Sequence, residues 1–91
     1  MSIDEIYIND LYSTLIKLKT VEECKQFIND LCTPKEIMQM AQRIAAAKCL
    51  MQGDTYETVI KKTEISSATL SRVSRAVKYG EGYKKVLKNE G

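Results

Sequence analysis

The chain has no histidine, no tryptophan, one proline, four glycines and three cysteines in 91 residues. Without histidine, neither a Cys/His zinc site nor a Cys/His catalytic pair can be built, and no metal or other cofactor is expected. Cys24, Cys32 and Cys49 are odd in number and include no Cys-x-x-Cys pair. That argues against a disulfide framework and for buried thiols in a reducing cytoplasm. No apolar run approaches the ~20 residues of a membrane span. The opening residues MSIDEIYIND are acidic, where a targeting peptide is basic before its apolar stretch. A cytoplasmic protein is the expectation. The scarcity of proline and glycine, with apolar residues at helical spacing throughout, predicts an all-α chain.

A chain of this length makes one small domain with a marginal core of its own, so dimerisation would help it. The net charge of +2 is unevenly spread. Residues 1–54 hold six Lys/Arg against eight Asp/Glu, whereas residues 55–91 hold eight against four. Positive charge gathered in the C-terminal part points to an anionic partner.

The spacing predicts a first helix over Ser2–Leu18. Its apolar residues, among them Ile3, Tyr7, Leu11, Tyr12 and Ile16, spread around most of the wheel. A monomer's surface helix needs a single apolar stripe, so a partner chain is expected here. A second helix, Val21–Leu31, is expected to bury Val21, Cys24, Phe27, Ile28 and Leu31. Thr33, Pro34 and Glu36 form a start signal for a third, running to about Gln52 and closed by Gly53. Asp54 or Thr55 can cap a fourth, ending near Thr63. A fifth runs from Ser66 or Ser67 to Tyr79, closed by Gly80, and the tail EGYKKVLKNEG forms one or two turns more. Residues 1–32 are thus dimerisation helices, 33–53 a long middle helix, 54–79 a helix pair and 80–91 a short C-terminal helix or tail.

That helix pair carries the candidate function. Val59, Ile65, Leu70, Val73 and Val77 are placed to lock it together. On the fifth helix, Leu70, Val73 and Val77 lie within about 60° of one another at 100° per residue. Ser67, Ser71, Arg75 and Lys78 fall within about 80° on the other side, flanked by Ala68 and Arg72. A recognition helix that approaches the floor of the DNA major groove needs short N-terminal residues, followed by cations that reach phosphates or guanine edges. Lys61 and Lys62 on the preceding helix, with Lys84, Lys85 and Lys88 in the tail, are candidates for further backbone contacts. A merely solvated basic helix face would show the same residue types, and the turn has Glu64 where such motifs often have glycine.

The order LCTPKE, QRI and QGDTYETVIKKTEISSATLSRVSRAVK resembles the Trp repressor superfamily, in particular its YerC/YecD-like branch, over about Leu31–Lys78. The resemblance implies a six-helix Trp-repressor-like fold in an intertwined homodimer. Such a dimer presents two recognition helices about 34 Å apart to a palindromic operator. It also implies a candidate effector pocket between the long middle helix and the recognition helix. There Arg43 and Arg72 match the family's ligand-sandwiching arginines, and Thr33 and Thr69 match nearby polar positions. Val73 stands where the family's glycine makes room for tryptophan, and Ala76 where a serine hydrogen-bonds it. The valine fills that space and the alanine cannot replace the bond.

The expected function is a sequence-specific DNA-binding transcriptional regulator, a repressor, whose effector is not L-tryptophan. An unidentified smaller or anionic effector, or none at all, is left open. Two other readings also stay open. One is an all-helical dimeric interaction module. The other is an enzyme like the small helical chorismate mutases, against which the absence of arginine from the first helix counts.

Overall fold

The computed structural model describes residues 2–88 and shows six helices, with no strand among them. They are α1 (Ile3–Leu15), α2 (Val21–Leu31), α3 (Pro34–Met51), α4 (Tyr56–Thr63), α5 (Ser67–Tyr79) and α6 (Gly82–Leu87). Among the described residues, no helix is long and apolar enough to cross a membrane. The chain divides into two units, Met1–Pro34 and Lys35–Gly91.

The N-terminal unit is two capped helices. The Ser2 hydroxyl accepts a hydrogen bond from Glu5 N (3.2 Å), so Ser2 caps α1 rather than beginning it. The helix also stops three residues short of the expected Leu18. Beyond it, Thr20 takes an extended conformation as the N-cap of α2 and forms a capping box with Glu23. The Glu23 carboxylate accepts from the backbone N–H groups of Lys19 (2.8 Å) and Thr20 (3.3 Å). An extended cap cannot continue the preceding helix, and the sequence reading had missed this one.

No residue of α1 or α2 is buried. Ile16 is 83% exposed, and Tyr7, Tyr12 and Ile3 are open as well. The expected burial along α2 is corrected accordingly. Phe27 and Ile28 are half-buried, but Cys24 and Leu31 are exposed and Val21 is 87% exposed. A pair of helices offers each other one face only, so a unit of this size cannot enclose its apolar residues. The three thiols are free, with Cys24 exposed and Cys32 and Cys49 half-buried rather than sealed in a core.

The core lies in the C-terminal unit. Ala46 and Ala47 from α3, Val59 from α4, Ile65 from the α4–α5 connection, Leu70 and Val73 from α5 and Leu87 from α6 are buried together. Val77 and Tyr83 pack against them. The two alanines keep α3 slim where the other elements meet it. Helix α3 begins at Pro34 as expected and ends one residue early, and Gly53 takes the left-handed conformation (φ 95°). Gly53 N donates to Leu50 O and Asp54 N to Cys49 O, which serves carbonyls the helix end would leave unpaired.

Glu64 is the non-glycine residue with positive φ (60°) among the described residues, and it closes α4. The connection is held around it. Thr63 Oγ1 donates to Val59 O (2.8 Å) and accepts from Ile65 N (3.3 Å), while Gln42 Nε2 from α3 donates to Thr63 O (3.3 Å). A left-handed L-residue costs about 1–2 kcal/mol, and glycine avoids the strain at some cost in unfolded-state entropy. Glu64→Gly is therefore expected to stabilise the chain by about 0.5–1 kcal/mol, read as a raised midpoint in urea unfolding. An unchanged or lowered midpoint would show that the turn carries no strain.

Gly80 closes α5 in extended rather than left-handed geometry (φ −88°, ψ 178°). Its glycine is required by proximity, because a Cβ there would lie 2.7 Å from Ala76 O. The tail then forms α6, which is anchored by buried Leu87.

Candidate functional site

Helices α4 and α5 are joined by residues 64–66 and each has its own N-cap. Thr55 Oγ1 accepts from Thr58 N (3.2 Å), and Ser66 Oγ accepts from Thr69 N (3.2 Å). Ser66 Oγ also donates to Thr69 Oγ1 (2.9 Å). One part of the serine-rich run is thus explained by helix initiation. With Leu70 and Val73 buried, the residues on the other side of the wheel face outward: Ser67, Ala68, Ser71, Arg72, Arg75 and Lys78 are all exposed. Ser74 is on the packing side, 4% exposed. The exposed face begins with small side chains and finishes with cations, as the periodicity predicted.

The cations differ in how free they are. Arg72, Arg75, Lys78 and Lys61 form no ion pair among the described residues. Lys62 is different, because its Nζ lies 3.0 Å from Asp54 Oδ2 at the start of α4. The hydrogen bond to Asp54, then that carboxylate's charge, raises the Lys62 ammonium above the ordinary lysine value of 10.5. A raised folded-state pKa means that the contribution to stability is full below the unfolded value and disappears as pH rises through the folded one. Whatever this exposed pair contributes is therefore expected to fade only above about pH 10.5. A urea midpoint in the Asp54→Asn variant should converge with that of the parent chain there, and not at neutral pH. Lys84 Nζ donates to Lys78 O (2.9 Å), placing a positive charge on the C-terminal end of α5.

Behind this face, a cleft of about 370 Å³ is lined by Arg43 of α3, Arg72, Val73 and Ala76 of α5 and Tyr83 of α6. Of the five expected pocket residues on α3 and α5, four (Arg43, Arg72, Val73 and Ala76) meet at one place. Thr69 does not line the cleft and is taken up by the Ser66 cap. Thr33 belongs to the N-terminal unit, directly before α3. Neither Arg43 nor Arg72 has an acidic partner among the described residues. Tyr83 had not been singled out as a site residue. The available signal was its i, i+4 spacing from Leu87, which places both on one side of a short helix.

These observations agree with what the chain is similar to. The family model described as Trp repressor protein matches residues 7–91. The Bacillus subtilis (strain 168) protein YerC is 41% identical over 83 residues, covering 88% of this chain and 80% of that protein. A crystal structure of a candidate Trp repressor from Staphylococcus aureus superposes with a TM-score of 0.87 at 36% identity, over 99% of this chain and 94% of the other. A TrpR-like protein from Eubacterium eligens ATCC 27750 gives 0.86 at 37% identity, over 93% and 89%. The all-helical architecture, the match along nearly the whole chain and the likeness to these structures agree: the chain belongs to the Trp repressor family.

Proposed function

We propose that this chain is a sequence-specific DNA-binding regulator that reads its operator through a helix-turn-helix made of α4 and α5. One observation carries the reading. Helix α5 is clamped by buried Leu70 and Val73 while it presents Ser67, Ala68 and Ser71, then Arg75 and Lys78, to solvent. Small hydroxylated residues permit close approach to base edges, and the cations behind them meet the phosphates. Arg72 flanks this face, and Lys61 extends it onto α4. Lys62 joins the backbone contacts only by exchanging Asp54 for a phosphate.

The open apolar surface of α1 supports a second copy of the chain as its cover, since exposed apolar patches of this kind mark interfaces. A two-fold dimer reads a palindrome, with half-sites about one turn, ~34 Å, apart. L-tryptophan is not the effector in this reading. Val73 and Ala76 line the cleft where an open wall and a hydroxyl would be needed to hold it. Chemistry of the chorismate-mutase kind has no support in the family or the fold.

The test is sequence selection on random duplexes with the purified protein, followed by titration across salt. A recovered palindrome, bound with an affinity that falls steeply as salt rises and keeps its preference at physiological ionic strength, is the expected result. Binding without preference would favour an interaction module with a basic surface. The chain has no tryptophan, so binding of L-tryptophan can be followed by the ligand's own fluorescence. Saturable micromolar binding that tightened operator affinity would overturn the statement about the effector.

A further inference from the structure

Tyr79 is the last residue of α5 and is 82% exposed, whereas Tyr56 is 44% exposed and Tyr83 half-buried. A single exposed apolar side chain is ordinary, so its position decides what it can do. At 100° per residue, Tyr79 lies about 180° from buried Leu70, about 40° from Arg75 and about 20° from Arg72. It therefore continues the outward row of arginines by one more turn, pointing away from the core.

The corner that follows is closely built. Gly80 leaves α5 in an extended conformation, where a Cβ would lie 2.7 Å from Ala76 O. Helix α6 then brings Lys84 back, so that its Nζ donates to Lys78 O (2.9 Å), on the peptide that joins Lys78 to Tyr79. The C-terminal end of a helix carries about half a negative charge, which repels phosphate. Lys84 covers that end with an ammonium. Of its three N–H donors, the carbonyl takes one. Residues 75–85 hold Arg75, Lys78, Lys84 and Lys85 against a single acid, Glu81, which pairs with Lys85 (3.5 Å). The end of α5 is thereby made attractive to an anion.

We infer that Tyr79 and Lys84 form a phosphate clamp at the C-terminal end of the recognition helix. The Tyr79 O–H donates to a backbone phosphate, and the Lys84 ammonium, seated on Lys78 O, offers its remaining donors to the same strand. The inference rests on the reading of α5 as a DNA-contacting helix. It adds two residues that hold the helix in register without reading bases. Charge selects DNA over a protein surface as the occupant. Arg75, Lys78 and Lys84 lie within five residues of Tyr79 and have no acidic partner among the described residues. An apolar partner would have to desolvate them, whereas a polyanion pairs with them.

The test takes the full chain, its selected operator and a scrambled duplex through binding titrations across salt, with melting and sedimentation alongside. Tyr79→Phe removes the hydroxyl alone. It should weaken both duplexes by about tenfold, the low end for a hydrogen bond to a charged group. Salt slope and melting temperature should stay as they are, because a neutral phenol displaces no counterion and the side chain is exposed. Lys84→Gln should also weaken both duplexes alike, and make the salt slope shallower by about one unit per chain.

Unchanged binding by both variants, with Arg75→Glu still impaired, would overturn the clamp and leave the reading of α5 intact. Weakening by one substitution and not the other would overturn the pairing of the two residues. Loss on the operator but not on the scrambled duplex would overturn it too, since a phosphate contact is blind to sequence. A Tyr79→Ala chain that sediments as a smaller species than the parent would assign the residue to a contact between copies instead. A parent chain that binds no duplex would remove the clamp and the DNA reading together.

Discussion

Leu70→Ala is expected to lower the stability of the chain by about 2–5 kcal/mol, the cost of truncating a large buried aliphatic residue. Leu70 is 0% exposed and belongs to the same cluster as Val59, Ile65 and Val73. It holds α5 against α4 and the connection between them. Alanine is at least as good a helix former as leucine, so the loss would measure packing and not helix propensity. Domains of this size carry few kcal/mol in total, and the variant should be partly unfolded at room temperature. Urea unfolding followed by circular dichroism reads the effect. Ser71→Ala, one residue on and exposed, should change stability by no more than about 0.5 kcal/mol. Comparable losses in the two variants would mean that α5 is not clamped by its apolar side, and the assignment of its outward face would fall with it.

Charge reversal at the other side of the same helix should leave folding alone and remove binding. Arg75 is exposed and has no ion pair among the described residues, so Arg75→Glu should shift the urea midpoint little. Under the proposed function, the substitution removes a base or phosphate contact and adds a repulsive charge. A lost base contact is worth about 1–3 kcal/mol. A loss of tenfold to several hundredfold in operator affinity is therefore expected. A phosphate contact would additionally show as a salt slope shallower by about one unit. Lys88→Ala, at the exposed end of α6, should leave sequence preference unchanged. If both variants lose preference equally in competition binding, the reading face lies elsewhere.

These two substitutions share one helix, and that helix was the most legible element of the sequence. The apolar set Leu70, Val73 and Val77 and the hydroxylated, basic set around Ser71 and Arg75 are separated by helical periodicity alone. Periodicity is a local property of the chain. The ends of α3 and α5 were legible for the same reason. Pro34 starts one helix and Gly53 closes it, and Ser66 caps the other, each by a conformation or a hydrogen bond that reaches only a few residues. Where two local signals competed, the reading failed. Apolar Ile16 and Leu18 suggested a longer α1, while the Thr20–Glu23 capping box had already ended it. The expected burial along α2 failed differently, since an apolar stripe says which residues want cover and not whether one chain can provide it.

By itself, then, the sequence determined the all-helical class, most helix limits and the two-sided character of α5, because these follow from forces acting within a few turns. Only the tertiary structure decided that Tyr83 of α6 closes a cleft with Arg43 and Arg72. The tertiary structure also decided that Lys62 is held by Asp54 while Arg75 stays free. The Lys62–Asp54 pair spans only eight residues, whereas the cleft depends on where helices distant in sequence come to rest. That is fixed by how alanines, valines and leucines fill one small core, and no single helix records it.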